Sequence, residues 1–414
     1  MSMTPADTQP SPVRLAYLVS HPIQYQAPLL RRIAQQPDIA LTVLFGSDFS
    51  VRGYKDEGFG VEVAWDVPLL DGYTSEFLPK LRDTGTVSAA SPISHGLYSR
   101  LQNPDRTPAF DALWVHGYAS VNALQAILAA NALGIPVLLR AEGWLGDRDR
   151  DPWKLALKHL FFSALGQGIA AVLPIGTRNA EYWQHYFGNT VPQFPMPYAV
   201  DNDWFAYRTE AAAPQAAALR ASLQLDPARP VILFASKLQT RKHAGHLLAA
   251  YAQFVTSRDF ATAPYLVIVG DGEERERLEA QCRTLKLDSV RFAGFRNQTE
   301  LPAFFHLADV FVLPSQHEPW GLIVNEAMAA GLPVIVSSDV GSHIDLVTDG
   351  LTGYVYPVGD IPALTHSLTR IFATLTTAAE MGHAAQQRMT TWSFTEDLCG
   401  LHAALAHTTR RLAP

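Results

Sequence analysis

The chain has 414 residues, of which 48% are hydrophobic and 17% charged, and its formal charge is −7. At roughly 100 to 200 residues per domain, that length predicts two or three domains, each able to bury a core, and the composition excludes extensive disorder. The negative balance removes the electrostatic case for nucleic acid as a main partner, and two cysteines, Cys282 and Cys399, make neither a disulfide framework nor a zinc spacing, so a reducing cytoplasm is the expected compartment.

The opening "MSMTPADTQPSP" is polar and proline-rich without the apolar stretch of a signal peptide, and residues 1–13 read as a flexible tail. "VRLAYLVS", "PLLRRIAQQ" and "IALTVLFG" then alternate strand, helix and strand, and "ALWVHG", "ALQAILAANALG" and "IPVLLRAEG" repeat the pattern. Apolar strands of this kind belong to parallel sheets covered on both faces, whose ligands sit at the carboxyl ends of the strands. Those ends carry the first candidates. "SHPIQYQAPLL" offers His21, Gln24 and Tyr25, either as ligand contacts or as surface residues of a proline-started helix. His116 closes "ALWVH", as a structural histidine or a site residue. Arg140 and Glu142 close "LLRAE", where they either pair with each other or touch substrate.

Further on, "DPWKLALKHLFFSALG" interleaves Lys154, Lys158 and His159 with Trp153, Leu155, Leu157, Leu160, Phe161 and Phe162, which suits a helix on a membrane surface or an ordinary packed helix. No uninterrupted apolar run has the length of a membrane span. The strand-helix rhythm stops near "PMPYAVDNDWFAYRTEAAAP" and restarts with "VILFASK", "YLVIVGDG", "VRFAGF", "VFVLPS" and "PVIVSS". The expected fold is therefore α/β, with two doubly wound Rossmann-like domains, 14–205 and 206–385, facing each other across a cleft. "WSFTEDLCGLHAALAHTTRRLAP" reads as a last helix within 386–414, capped by Ser393 with Glu396 three residues on, either a plain terminal helix or a strut back across the cleft.

The second half holds the densest chemistry. After "SK", the string "LQTRKHAGH" sets Arg241 and Lys242 near Lys237 ahead of a helix, where cations can clamp a diphosphate; His243 and His246 have helical spacing but no third metal ligand. In "HEPWGLIVNEAMAAGLP" a helix opens at Trp320–Gly321, and the backbone amides of Gly321, Leu322 and Ile323 form an anion site. Glu318 precedes that site and Glu326 lies roughly 7 Å further along at ~1.5 Å per residue. A carboxylate can hold two neighbouring hydroxyls, so a glutamate on each side of a diphosphate turn suits a nucleotide sugar; the alternative is a capping glutamate and a solvated one.

The string from Glu318 to Pro333 resembles the E-x7-E motif of retaining family 4 glycosyltransferases with the GT-B fold. "SKLQTRK", "VGDGEERERLE", "FAGFRNQTELPAFFHLADVFVLPS" and "PYAVDNDWF" resemble further segments of that family, so the likeness covers most of the chain. It implies that Glu318 contacts the donor sugar, Glu326 the ribose, and Lys237 and Lys242 the diphosphate beside Gly321, Leu322 and Ile323. Trp320 and Arg241 would line the donor site, Arg296 falls at the base contact, and His116 lies near donor sugar and acceptor. The C-terminal helix would cross back to the N-terminal domain. Departures are Lys237 for arginine, a histidine after Lys242, Tyr198 for asparagine, and His21, Gln24 and Tyr25 where relatives have a glycine-rich loop.

The resemblance implies a metal-independent hexosyltransferase, needing no cofactor, that takes a UDP-sugar, or next a GDP-sugar. Its acceptor would be a hydroxyl in polysaccharide or lipid-linked glycan assembly, or on a small molecule. The protein would sit in the cytoplasm, with peripheral contact at the inner face of the membrane as an option. An epimerase or a non-catalytic nucleotide-binding regulator is the rival reading.

Overall fold

In the computed structural model, which describes residues 11–147, 151–256 and 262–409, the first strand β1 is Val13–Val19, and every one of its residues except Arg14 is buried. Burial on both faces is what an apolar run inside a parallel sheet requires. With β2 (Ile39–Phe45), β3 (Thr74–Phe77), β4 (Ala112–His116), β5 (Val137–Arg140) and β6 (Ala171–Val172), it makes a six-stranded sheet ordered β6-β5-β4-β1-β2-β3. All five pairings are parallel, with Tyr17 opposite Val43 on one side and Trp114 on the other.

The second sheet repeats this plan. Strands β7 (Val231–Ala235), β8 (Tyr265–Val269), β9 (Val290–Gly294), β10 (Val310–Leu313), β11 (Val334–Ser337) and β12 (Gly353–Tyr356) lie in the order β9-β8-β7-β10-β11-β12, again all parallel. Strand order reverses between β1 and β4 in one sheet and between β7 and β10 in the other. The crevices outside the carboxyl ends of such strands are where open α/β sheets take ligands. Helices cover both faces and bury one apolar cluster on each side of each sheet.

Residue 205 falls inside the helix Asn202–Ala211, whose Phe205 belongs to the core of the second sheet. The segment expected from 386 begins inside the helix Leu375–Met389, and the crossing helix is Phe394–Thr408. It starts with the expected capping box between Ser393 and Glu396, and buries Leu401, Ala404 and Leu405 in the core of the first sheet. Gly400 lets it come close, because a Cβ there would stand 1.8 Å from the carbonyl oxygen of Pro195. Most of the tail expected over 1–13 lies outside the described residues, and β1 already begins at Val13. Among the described residues, no helix is long and apolar enough to cross a membrane.

Candidate active site

The site grows from the loop after β10. Gly321 adopts φ +86°, a left-handed conformation that glycine takes without strain, and so turns the chain into the helix Leu322–Ala329. The amides of Gly321, Leu322 and Ile323 have no carbonyl one turn earlier to bond, and these three residues line a cavity of about 280 Å³. Glu326 lines the same cavity. It is 8% exposed, its Oε2 has no hydrogen-bond partner, and burial pushes its carboxyl up to about 8. An orphaned acceptor in a buried position calls for a donor from outside the protein.

Glu318, 9% exposed, lines the same cavity and pairs with Lys242 and, at 3.3 Å, with Arg241. Burial holds the Lys242 ammonium below the ordinary lysine range, although the charge of Glu318 opposes that shift. Lys237 follows β7 and also faces the cavity, but its ammonium sits 2.7 and 2.9 Å from the two carboxylate oxygens of Asp56. Asp56 comes from the other half of the chain, beside a short antiparallel pair made by Tyr54–Lys55 and Glu62–Val63.

The first sheet contributes a linked set of polar groups. Tyr198 donates to Glu142 at 2.5 Å, Tyr25 donates to the same oxygen at 3.4 Å, and Tyr198 lies 3.4 Å from Nε2 of His116. Gln26 approaches that ring at 3.3 Å and accepts from Tyr17 at 2.6 Å. Desolvation, then the charges of Arg140 and His21, push His116 down to about 3. Glu142 keeps an exposed edge just past the end of β5. Desolvation raises its carboxyl, and the charge of Glu318 adds to that.

Arg296, Arg241 and Gln24 also line the cavity beside Glu326. His21 stacks on Phe49 at 4.6 Å, and burial lowers it to about 4. Two expectations are corrected. Trp320 is not a donor contact: it is 4% exposed, stacks on Trp392 at 5.6 Å, and donates to Asn325 at 2.9 Å, because the left-handed turn at Gly321 sends its indole into the core. Arg140 neither pairs with Glu142 nor faces the cleft; it is 1% exposed and bonded to Asp397 at 2.9 Å. Sequence reasoning missed Asp56, Phe59 and Trp65, although the aromatic and acidic residues of "YKDEGFG" in a glycine turn were a signal. It noted Tyr198 only as a departure, without its hydrogen bond to Glu142.

Residues 215–388 match the family described as "Glycosyl transferases group 1". The chain is 33% identical to "Glycogen synthase" of Mycobacterium tuberculosis (strain ATCC 25618 / H37Rv) over 160 residues, which are 38% of each protein. It is 32% identical to "Lipopolysaccharide core biosynthesis glycosyltransferase LpsE" of Rhizobium meliloti (strain 1021) over 168 residues, 40% of this chain and 46% of that protein. The match thus spans less than half the length of these curated relatives. Across 93% of this chain and 97% of the other, the fold superposes on Anabaena Alr3699/HepE, solved with UDP and glucose, with a TM-score of 0.68 at 17% identity.

Proposed function

We propose that this chain, whose residues 215–388 match the group 1 glycosyl transferases, moves a hexosyl group from a nucleotide diphosphate sugar to a hydroxyl acceptor with retention at the anomeric carbon. The observation that carries this reading is the buried, partnerless oxygen of Glu326 in the same cavity as the helix start at Gly321 and four cations, Lys237, Arg241, Lys242 and Arg296. A ribose supplies two adjacent hydroxyl donors for the carboxylate, and a diphosphate supplies the anion for the amides, Lys242, Arg241 and Lys237.

These groups neutralise the departing diphosphate, work that a divalent metal does in other transferases. The bond from anomeric carbon to phosphate oxygen breaks, the acceptor oxygen bonds to the same face, and its proton passes to the leaving phosphate. Glu318, next to Lys242, faces the sugar hydroxyls. His116 and Glu142, from the opposite domain, receive the acceptor, and closure of the cleft excludes water that would otherwise hydrolyse the donor.

A UDP-sugar is the favoured donor, supported by the likeness to a fold solved with UDP, and a GDP-sugar is next. For the acceptor, polysaccharide or lipid-linked glycan assembly fits best. The helix Pro152–Gly166 presents Trp153, Leu157 and Leu160 on one face at 60%, 56% and 69% exposure, as a helix lying against a bilayer would. The deciding experiment is a thermal-shift screen of UDP-, GDP-, ADP- and dTDP-sugars, followed by product analysis with the stabilising donor. Selective stabilisation by one donor, and a product of unchanged anomeric configuration, are expected; no response to any of the four would overturn the reading.

A further inference from the structure

The cation expected to bind a donor phosphate is already taken by a carboxylate from the opposite domain. Lys237 donates to both oxygens of Asp56, which also accepts the amides of Gly58 at 2.8 Å and Phe59 at 3.0 Å. Those four bonds fix the carboxylate within a turn. Burial works against its charge, but the hydrogen bond and charge of Lys237 and the two amides more than offset that and hold it below the usual carboxylate range.

The turn is fitted to the second domain at its other points too. A Cβ on Gly272, which adopts φ +148°, would stand 2.8 Å from the Gly58 carbonyl, so that contact needs glycine, and a Cβ on Gly58 would stand 2.6 Å from the Lys237 stem and push it aside. The Phe59 ring meets Phe295 edge-on, with centroids 4.8 Å apart. Beyond the hairpin, Asn297 donates to the Ala64 carbonyl at 2.6 Å and the amide of Thr299 points to Asp66 at 3.3 Å. Phe59 and Trp65 thereby line the same cavity as Phe295 and Leu301.

Resting on the nucleotide-sugar reading of that cavity, we propose that segment 54–66 is a removable wall of the donor site: Phe59 and Trp65 close the slot for the base, and Asp56 occupies Lys237 until the donor diphosphate displaces it. Asp56 is an internal stand-in for phosphate. A diphosphate reaching Lys237 carries the same sign of charge as Asp56, so the two cannot share one ammonium without repulsion. The Lys237 ammonium lies over the Phe59 ring, 4.8 Å from its centroid, so displacement of Asp56 frees the turn and releases that aromatic face to stack on the base. Donor affinity is thus set partly by a domain that contributes none of the E-x7-E residues, and base choice depends on Phe59 and Trp65 as specificity residues.

Calorimetric titration of the full chain with UDP and with pyrophosphate tests this. Asp56→Asn keeps an oxygen for the Gly58 and Phe59 amides but removes the charge, and is expected to bind both ligands roughly 3- to 10-fold more tightly than the parent. Phe59→Ala is expected to weaken UDP roughly fivefold more than it weakens pyrophosphate, since only UDP has a base to stack. Asp56→Ser serves the same purpose if the asparagine variant does not fold. Equal or weaker binding by the charge-free variant, or equal losses for both ligands in Phe59→Ala, overturns the proposal. If the parent binds no nucleotide at all, the functional reading itself fails, which is a separate outcome.

Discussion

Asp397 on the crossing helix and Arg140 at the end of β5 form an ion pair of 2.9 Å from which solvent is excluded. The guanidinium also donates to the carbonyls of Met196 at 2.7 Å and Pro197 at 3.0 Å, so it ties the sheet, the stretch between domains and the last helix together. Removing one partner leaves a buried charge alone, at a cost of about 3–5 kcal/mol. Asp397→Ala is therefore expected to lower the melting temperature by roughly 6 °C or more. Nucleotide affinity should stay within about twofold, because neither residue lines the donor cavity. The double change Arg140→Met with Asp397→Leu should recover most of the lost stability, as an apolar pair of similar volume does elsewhere.

Glu326 gives a pH dependence with a definite sign. Its folded pKa of about 8 stands above the ordinary 4.5. Between those values the native chain holds a proton that the unfolded chain releases, so wild-type stability falls as pH rises through that window. Glu326→Gln removes the effect. The variant should gain on the parent in melting temperature from pH 5 to pH 8, and nucleotide binding to the parent near pH 7 should release a proton as the carboxylate forms to meet ribose. Titrations in buffers of different ionisation enthalpy read that proton; a buffer-independent enthalpy would refute the ribose assignment.

Tyr198 orients Glu142 through a 2.5 Å hydrogen bond, and Glu142 keeps an exposed edge just past the end of β5. If that carboxylate receives the acceptor hydroxyl, Glu142→Gln should lower kcat/KM for the acceptor by roughly 10- to 100-fold while leaving donor affinity unchanged. Tyr198→Phe should give a smaller loss of the same kind. Steady-state kinetics with each substrate varied in turn separates this from a structural effect, which would move both.

Trp153, Leu157 and Leu160 supply a test of the bilayer contact. Replacing all three by serine should abolish sedimentation with anionic phospholipid vesicles, whereas the melting temperature should change little because the three side chains are exposed. Unchanged sedimentation would remove this helix from the acceptor argument.

The two-sheet fold is legible because parallel strands buried on both faces must be apolar runs, and β1, β4, β7 and β10 all are. Glu326 and the helix start at Gly321 are legible because neighbours in sequence stay neighbours on a helix. Pairs distant in sequence leave no such trace. Arg140 and its partner Asp397 are 257 positions apart and Lys237 and Asp56 are 181 apart, so periodicity cannot join either pair. Trp320 misleads for a different reason: an aromatic beside an anion site looks like a ligand platform until its stacking on Trp392 is seen.

The pairing of Glu318 with Lys242 links the sugar contact to the phosphate contact. Burial lowers the Lys242 ammonium, and the Glu318 charge is the main influence that holds it up. Glu318→Gln should therefore do more than weaken the sugar contact: it should drop the Lys242 pKa further. A lysine that loses its proton with rising pH can no longer neutralise diphosphate, so donor affinity of the variant should fall from pH 6 to pH 9 while the parent's falls less. Lys242→Ala should cost roughly 100- to 1000-fold in kcat, the scale for removing one group that stabilises developing charge. Its donor affinity should lose the steep pH dependence seen in Glu318→Gln. If the Glu318→Gln profile instead runs parallel to that of the parent, the two residues act independently, and Glu318 serves the sugar alone.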